Sequence, residues 1–167
     1  GTGDATVELA AGDSNTIDFG TGANTLTLTV DSSLTNLVTG FGADDTINVE
    51  PNDLDGGVTV FAAPIATQTK LDMTTYDANV VVFTGNAATA GAISTDTDGA
   101  GADLAGLTDF TTTTTVESFL DDIFAGGNGE DMLVALNDGT DSYLYDVTGT
   151  GGAAVFTVTL VATFDDY

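Results

Sequence analysis

The first 49 residues repeat on themselves, and that repeat constrains the fold more than any other feature. Gly1-Thr-Gly-Asp-Ala-Thr-Val7 aligns with Gly20-Thr-Gly-Ala-Asn-Thr-Leu26 at an offset of 19, with Ala11-Gly-Asp-Ser-Asn-Thr-Ile17 between them. Asn15-Thr-Ile17 and Asn24-Thr-Leu26 lie nine residues apart, and Asp45-Thr-Ile47 has the same form. Each unit is a polar Gly/Asp/Asn turn followed by a short alternating strand such as Thr25-Leu-Thr-Leu-Thr-Val30. A nine-residue period of turn and strand predicts a parallel β-roll, in which turns stack and the aliphatic residue of each strand points inward.

Composition agrees with strands and turns. Thr supplies 31 residues and Asp 22, against 4 Glu, and 42% of the chain is hydrophobic. Thr and Val favour pleated surfaces, while Asp, Asn and Gly favour turns. The expected fold class is all-β: a degenerate parallel β-roll or β-sandwich with one short helix near 115–125. Two segments are expected, 1–50 as β-roll repeats and 51–167 as a β-rich C-terminal domain carrying the helix.

Charge narrows the function. The chain has 26 acidic residues, one base (Lys70), no His and no Cys, for a net charge of −25. Counterion release on a nucleic acid needs several Lys or Arg, so that partner is excluded. Docking on an anionic membrane is disfavoured for the same reason. A His base, a Cys nucleophile and an Arg clamp are all missing, as are disulfides and thiolate metal sites. Carboxylates remain, and they suit hard cations such as Ca²⁺. No run of 18 apolar residues predicts membrane insertion. No basic segment followed by an apolar stretch marks a secretory signal. The abrupt start in a strand pattern suggests a fragment or a processed product.

The repeat segment resembles the calcium-binding nonapeptide repeats of RTX proteins, G-G-x-G-x-D-x-U-x. Gly20, Gly22, Asn24 and Leu26 fit the second, fourth, sixth and eighth positions, with Phe19 in place of the first Gly. Asp45 and Ile47 fit the sixth and eighth positions after Gly40, with Phe41 and Ala43 in place of glycines. In that family the turn gives carbonyls and one Asp to a Ca²⁺ shared between stacked turns. The resemblance therefore implies metal ligands among Asp4, Asp13, Asn24, Asp44 and Asp45. The alternative from the residues alone is a roll whose turns are held by Asn and Asp hydrogen bonds without metal. Val38–Val49 is also similar to the stretch that closes repeat arrays in type I-secreted proteins, with Gly40 and Ala43 as departures.

Further along, Ala78-Asn-Val-Val-Val-Phe-Thr-Gly85 is an apolar run bounded by turn residues, as a strand buried on both faces would be. It resembles a strand common in the C-terminal regions of type I-secreted proteins. Asp96, Asp98 and Asp103 have the spacing of an Asp-rich calcium loop. Ala105 stands where an EF-hand would carry Glu, so a solvated acidic loop is the alternative. Thr114–Ala125 reads as a helix: Val116, Phe119, Leu120 and Ile123 share a face, Thr114 and Glu117 form a capping box, and Gly126 is the stop. Gly126-Gly-Asn-Gly-Glu-Asp131-Met-Leu133-Val matches the nonapeptide in full. It reads either as a calcium turn ligated by Asp131 or as a helix stop and a loop entering a strand. Strands then follow at 131–136, 142–147 and 153–164, the first two joined by an Asn-Asp-Gly-Thr-Asp turn.

The phrases 20–26, 38–49, 79–85 and 116–145 make the chain similar to the C-terminal region of a type I-secreted RTX or surface-layer protein. That resemblance implies an uncleaved C-terminal export signal, the type I secretion machinery as a partner, and a secreted, cell-surface or matrix location. No zinc-binding His pair or nucleophile elbow is present, so the expected function is non-enzymatic. It is a surface-layer, matrix or filament subunit stabilised by Ca²⁺ and self-associating. A calcium-binding secretion or accessory domain of an exported enzyme or adhesin is the alternative. A carbohydrate-binding sandwich with Tyr76, Tyr143 and Tyr145 as stacking residues is a third reading. A halophilic cytoplasmic protein would share the acidity but not the nonapeptide phrases.

Overall fold

A turn-and-strand repeat can bury its aliphatic side chains only by stacking copies, and the computed structural model shows that stacking. It describes residues 3–9, 14–29, 36–50, 57–61, 71–83, 107, 109–125, 127–151 and 156–165. The expected all-β fold with one short helix is what the chain adopts. Strands β1 (Thr6–Leu9), β3 (Thr25–Thr29) and β5 (Thr46–Glu50) form a parallel three-stranded sheet. Strands β2 (Thr16–Asp18) and β4 (Asn36–Thr39) pair in parallel within a second sheet. The chain therefore alternates between two sheets, two strands to a rung. Thr6 lies beside Thr25 and Thr25 beside Thr46, while Ile17 lies beside Val38. Leu26 and Leu28 are fully buried between the sheets, together with Ile17, Phe19 and Val38.

The second sheet does not stop at the repeats. After β6 (Gly57–Phe61), β7 (Leu71–Asp72) and β8 (Asn79–Phe83) come a helix α1 (Thr113–Ile123) and the short β9 (Phe124–Ala125). Strands β10 (Asn128–Asn137), β11 (Ser142–Thr150) and β12 (Phe156–Phe164) form an antiparallel meander. The seven-stranded order is β2-β4-β12-β11-β10-β8-β6. Segments 1–50 and 51–167 thus contribute strands to one sheet. Strand β12 runs parallel to β4 and sets Phe164 beside Val38, where the next even rung of the roll would come.

Each face of this sheet has its own core. Met132, Val134, Leu136, Tyr145, Val147, Phe156, Val158 and Leu160 pack under α1, whose buried face is Val116, Phe119, Leu120 and Ile123. Leu133, Leu144, Ala162 and Phe164 pack against the roll. Along β10 the alternation is simple: Met132 goes to one core and Leu133 to the other. Along β12 it is not. A bulge lies where Leu144 faces Ala162 and Tyr145 faces Leu160, leaving Val161 as the extra residue. One inserted residue reverses strand parity. That reversal lets one strand give Phe156, Val158 and Leu160 to the helix side, then Ala162 and Phe164 to the roll.

The bulge also displaces a carbonyl from the ladder, and a side chain receives it. Asn36 is 1% exposed. Its Nδ2 donates to the Val161 carbonyl at 3.1 Å, and its Oδ1 accepts from the Asn15 backbone N–H and Nδ2 at 3.2 and 3.3 Å. Asn36 thus ties the roll to the meander.

The helix begins one residue before the position expected and ends two residues sooner. Its N-cap is Thr112, which makes no side-chain cap bond. The preceding Asp109 supplies the acceptor instead, receiving the backbone N–H of Thr111 and Thr112 and both hydroxyls. The expected Thr114–Glu117 box is therefore not where the helix is capped. The end comes when Phe124 turns extended and β9 pairs with β7. Gly126 lies outside the described residues.

Removing the Asn36 amide would leave the buried Val161 carbonyl without its donor and the half-buried Asn15 N–H without this acceptor. Asn36→Ala should cost about 2–3 kcal/mol, a fall of roughly 5–10 °C in Tm. Leu37→Ala, at a site 40% exposed, should move Tm by no more than ~2 °C. Thermal denaturation of the two variants checks the contrast.

Candidate functional site: the polar turns of the roll

The residues expected to ligate metal fall into three groups. Asp13, Asp96, Asp98 and Asp103 lie outside the described residues. Asp4, Asn24 and Asp45 are brought together, one from each of three successive turns on the same side of the roll. Asp44 is exposed next to Asp45, and Asp131 lies elsewhere, at the start of the meander.

Hydrogen bonds link the three stacked turns. Asp4 Oδ1 accepts from the Ala23 N–H at 3.1 Å. Asn24 Oδ1 accepts from the Ala5 N–H at 3.2 Å. Asp45 Oδ1 accepts from the Asn24 backbone N–H at 2.7 Å and from Asn24 Nδ2 at 2.9 Å. Asp45 Oδ2 takes the Gly42 N–H at 2.7 Å. The Asn24 backbone N–H lowers the Asp45 pKa, against a smaller opposing effect of burial, and Gly42 and the Asn24 side chain lower it further. The carboxylate is thereby held charged by peptide dipoles.

Two glycines make the close stacking possible. Gly22 has φ +134°, and a Cβ there would lie 3.0 Å from the Gly3 carbonyl. Gly40 has φ +67°, and a Cβ would lie 2.2 Å from the Phe19 carbonyl oxygen. No side chain fits at either position without moving backbone.

Asp131 has other surroundings. It is exposed; its N–H donates to Asp77 Oδ1 at 3.0 Å, and its carbonyl accepts from the Ala78 N–H at 2.7 Å. The segment that matches the nonapeptide in full thus enters strand β10 beside the Asp77–Ala78 turn, and among the described residues it is not stacked on a sister turn. Among the described residues no three or more carboxylates converge on one point.

Sequence reasoning missed Asp146. It lies on β11 between Leu133 and Thr159, where the alternation of Leu144, Asp146 and Thr148 places a carboxylate on the roll-side face of the sheet. Burial and then the nearby Asp131 push its pKa up to about 6. Asp109 is its opposite. Hydrogen bonds from the Thr112 and Thr111 hydroxyls, with smaller help from backbone N–H groups, bring it down to about 2.

Two of the three aromatic candidates for ligand stacking belong to the interior. Tyr145 is fully buried, and its hydroxyl donates to the Phe110 carbonyl. Tyr143 is 7% exposed, stacks on Phe110 at 5.2 Å, and donates to Asp138. Tyr76 meets Phe124 edge to face at 5.5 Å. Burial, then the Asp138 hydrogen bond, drive the Tyr143 hydroxyl pKa to about 12. The rings of Tyr143 and Tyr145 offer no platform to a sugar.

The fold and its turns define an all-β protein in which a two-strand-per-rung parallel roll merges with a helix-covered meander. No protein-family model matches the chain, and neither a curated protein nor a solved structure matches it.

The Asp146 pKa carries a pH signature. A folded-state value above the ordinary 3.8 means that the folded protein holds the extra proton between those limits. The group's favourable contribution is complete below about 3.8 and is lost as pH rises through about 6. Asp109 runs the other way, its contribution present above 3.8 and lost as pH falls toward about 2. Asp146→Asn, a neutral mimic of the acid, should raise Tm at pH 7.5 by about 2–4 °C, allowing for partial exposure. The gain should vanish by about pH 4, as melts across the pH range would show.

Proposed function

We propose that this chain is a non-enzymatic structural module of a secreted surface layer, matrix or filament, and that it assembles through its roll. The observation that carries this reading is the end rung. Among the described residues, β1 and β2 each have a neighbour on one side only. Val7 and Leu9 of that rung are only half-buried, whereas Leu26 and Leu28 one rung in are fully buried. Stacked rungs behave as a one-dimensional array, and the open side of β1 and β2 is a surface that a further rung, from elsewhere in the same polypeptide or from a second copy, would extend. An uncovered parallel strand edge is a template for pairing. At the other end the even strands are covered, because β12 sits beside β4.

The chemistry fits a structural role. The sequence has no His, Cys or Arg for acid–base, nucleophilic or oxyanion work. The chain at −25 repels its copies at low salt, and monovalent salt removes only the long-range part. In this reading calcium acts between subunits, bridging exposed carboxylates at the module's surface. The extracellular setting and type I export remain part of the proposal through the resemblance of the repeat and C-terminal phrases.

Light scattering and electron microscopy, with calcium titrated at fixed ionic strength, test assembly. Association into particles larger than a monomer is the expected result. Leu9→Lys, at a half-buried position of the open rung that packs against the roll's core, should weaken association about tenfold or more and lower Tm by a few degrees without abolishing the melting transition. A chain that stays monomeric through millimolar calcium would favour the secretion or accessory-domain reading instead.

A further inference from the structure

The oxygens that a bridging cation would use in the second turn already surround a nitrogen. Asn24 is 2% exposed. Its Nδ2 lies 3.1 Å from the Gly22 carbonyl oxygen, 3.4 Å from the Gly20 carbonyl oxygen and 2.9 Å from Asp45 Oδ1. Two of these oxygens belong to its own turn and the third to the next. The amide orientation follows from the network. Oδ1 faces the Ala5 N–H, so reversing the group would set an oxygen against three oxygens and an NH₂ against an N–H.

We propose that the Asn24 amide does here the work of a bound cation, so that this turn of the roll is bridged without metal. A hard cation needs an oxygen cage at about 2.3–2.6 Å with anionic members. Here the centre of the cage is filled by a neutral donor covalently tethered to the chain. Both Asp45 oxygens are engaged by N–H groups, Oδ1 by Asn24 and Oδ2 by Gly42. The residue at the sixth position of the repeat-like turn is thus a bridge, and not a ligand. This inference stands on the turn geometry alone and is independent of the assembly reading.

The inference predicts a switch. Asn24→Asp is nearly isosteric, but it replaces the donor with an acceptor. The cage would then present two carboxylates and two carbonyls with nothing between them, which is the donor set of a cation site. In chelator, Asn24→Asp should lower Tm by about 5–10 °C. Millimolar calcium should restore most of that loss by mass action, with about one more calcium equivalent bound than the parent chain binds in a calorimetric titration. Asn24→Ala should lose stability with and without calcium, with no added equivalent. A loss in Asn24→Asp that calcium does not restore would overturn the proposal.

The unaltered protein supplies a test that does not depend on a variant folding. The side-chain amide protons of Asn24 should be protected from exchange, and their ¹H–¹⁵N signals should hold their positions between chelator and 5 mM calcium, a concentration on the order of the weakest calcium sites. Displacement of those signals by calcium, or loss of a calcium equivalent in Asn24→Ala, would show that a metal enters the turn and would overturn the assignment.

Discussion

The parallel roll depends on how its turns satisfy their polar groups. Strand ladders take care of the backbone between turns, but a stacked turn presents N–H and C=O groups to its neighbour with no regular pairing. Left unpaired at a buried position, each would cost 1 kcal/mol or more, on the order of what a single hydrogen bond contributes. Asp4, Asn24 and Asp45 answer this from one position of successive turns, each reaching a backbone N–H in the neighbouring turn. Asn15 and Asn36 repeat the device on the other side of the roll. With the turns fixed, Val7, Leu26 and Ile47 fall into line on one sheet, and Ile17 and Val38 on the other. The core follows from the turns.

The second dependence is on the shared sheet. A sheet with a core on each face needs strands that are apolar on both sides, and Val80-Val-Val-Phe83 and Met132-Leu-Val134 supply them. Strand β12 must serve the helix side at one end and the roll at the other, and strict alternation cannot do that. The extra residue at Val161 does, and Asn36 receives the carbonyl that the bulge leaves over. One irregularity therefore joins two architectures, an array of local parallel rungs and an antiparallel meander. It also makes the end of the chain part of the roll.

Much of this was legible in the sequence, for physical reasons that differ by element. The nine-residue spacing was visible because a turn and a strand recur with the same polar-to-aliphatic order. The rung is two such units, so strands pair at steps of 19 and 21. The helix face was legible from Val116, Phe119, Leu120 and Ile123. Its start was not, because Asp109, three residues before the N-cap, holds the entry turn where Thr114 was expected to act. The parity change at Val161 leaves no trace in a run of apolar residues. Pattern alone also could not assign a role to Asn24. The RTX resemblance implies a ligand at the sixth position, but no pattern tells which of the two side-chain atoms of Asn24 faces the carbonyls, and in the fold it is Nδ2.

The same hydrogen bonds explain how a chain this acidic folds with almost no base. No Lys or Arg lies among the described residues, yet carboxylates stand at turn after turn. Their partners are peptide N–H groups and hydroxyls: Ala23 for Asp4, Asn24 and Gly42 for Asp45, Thr74 for Asp72, Thr111 and Thr112 for Asp109, Thr140 and Asp141 for Asp138. A carboxylate held by several donors is stabilised in its charged form without a cation. Short side chains suit this better than long ones, because Asp can bond N–H groups two or three residues on, as Asp72, Asp109 and Asp138 do. Asp146 shows the limit of the arrangement. It sits in a strand, where neighbouring N–H groups are committed to the ladder, and its carboxyl is driven up to about 6. Backbone donors solve the local problem at each turn but leave the summed charge of −25 intact. That long-range field must be screened or bridged before two such surfaces can meet.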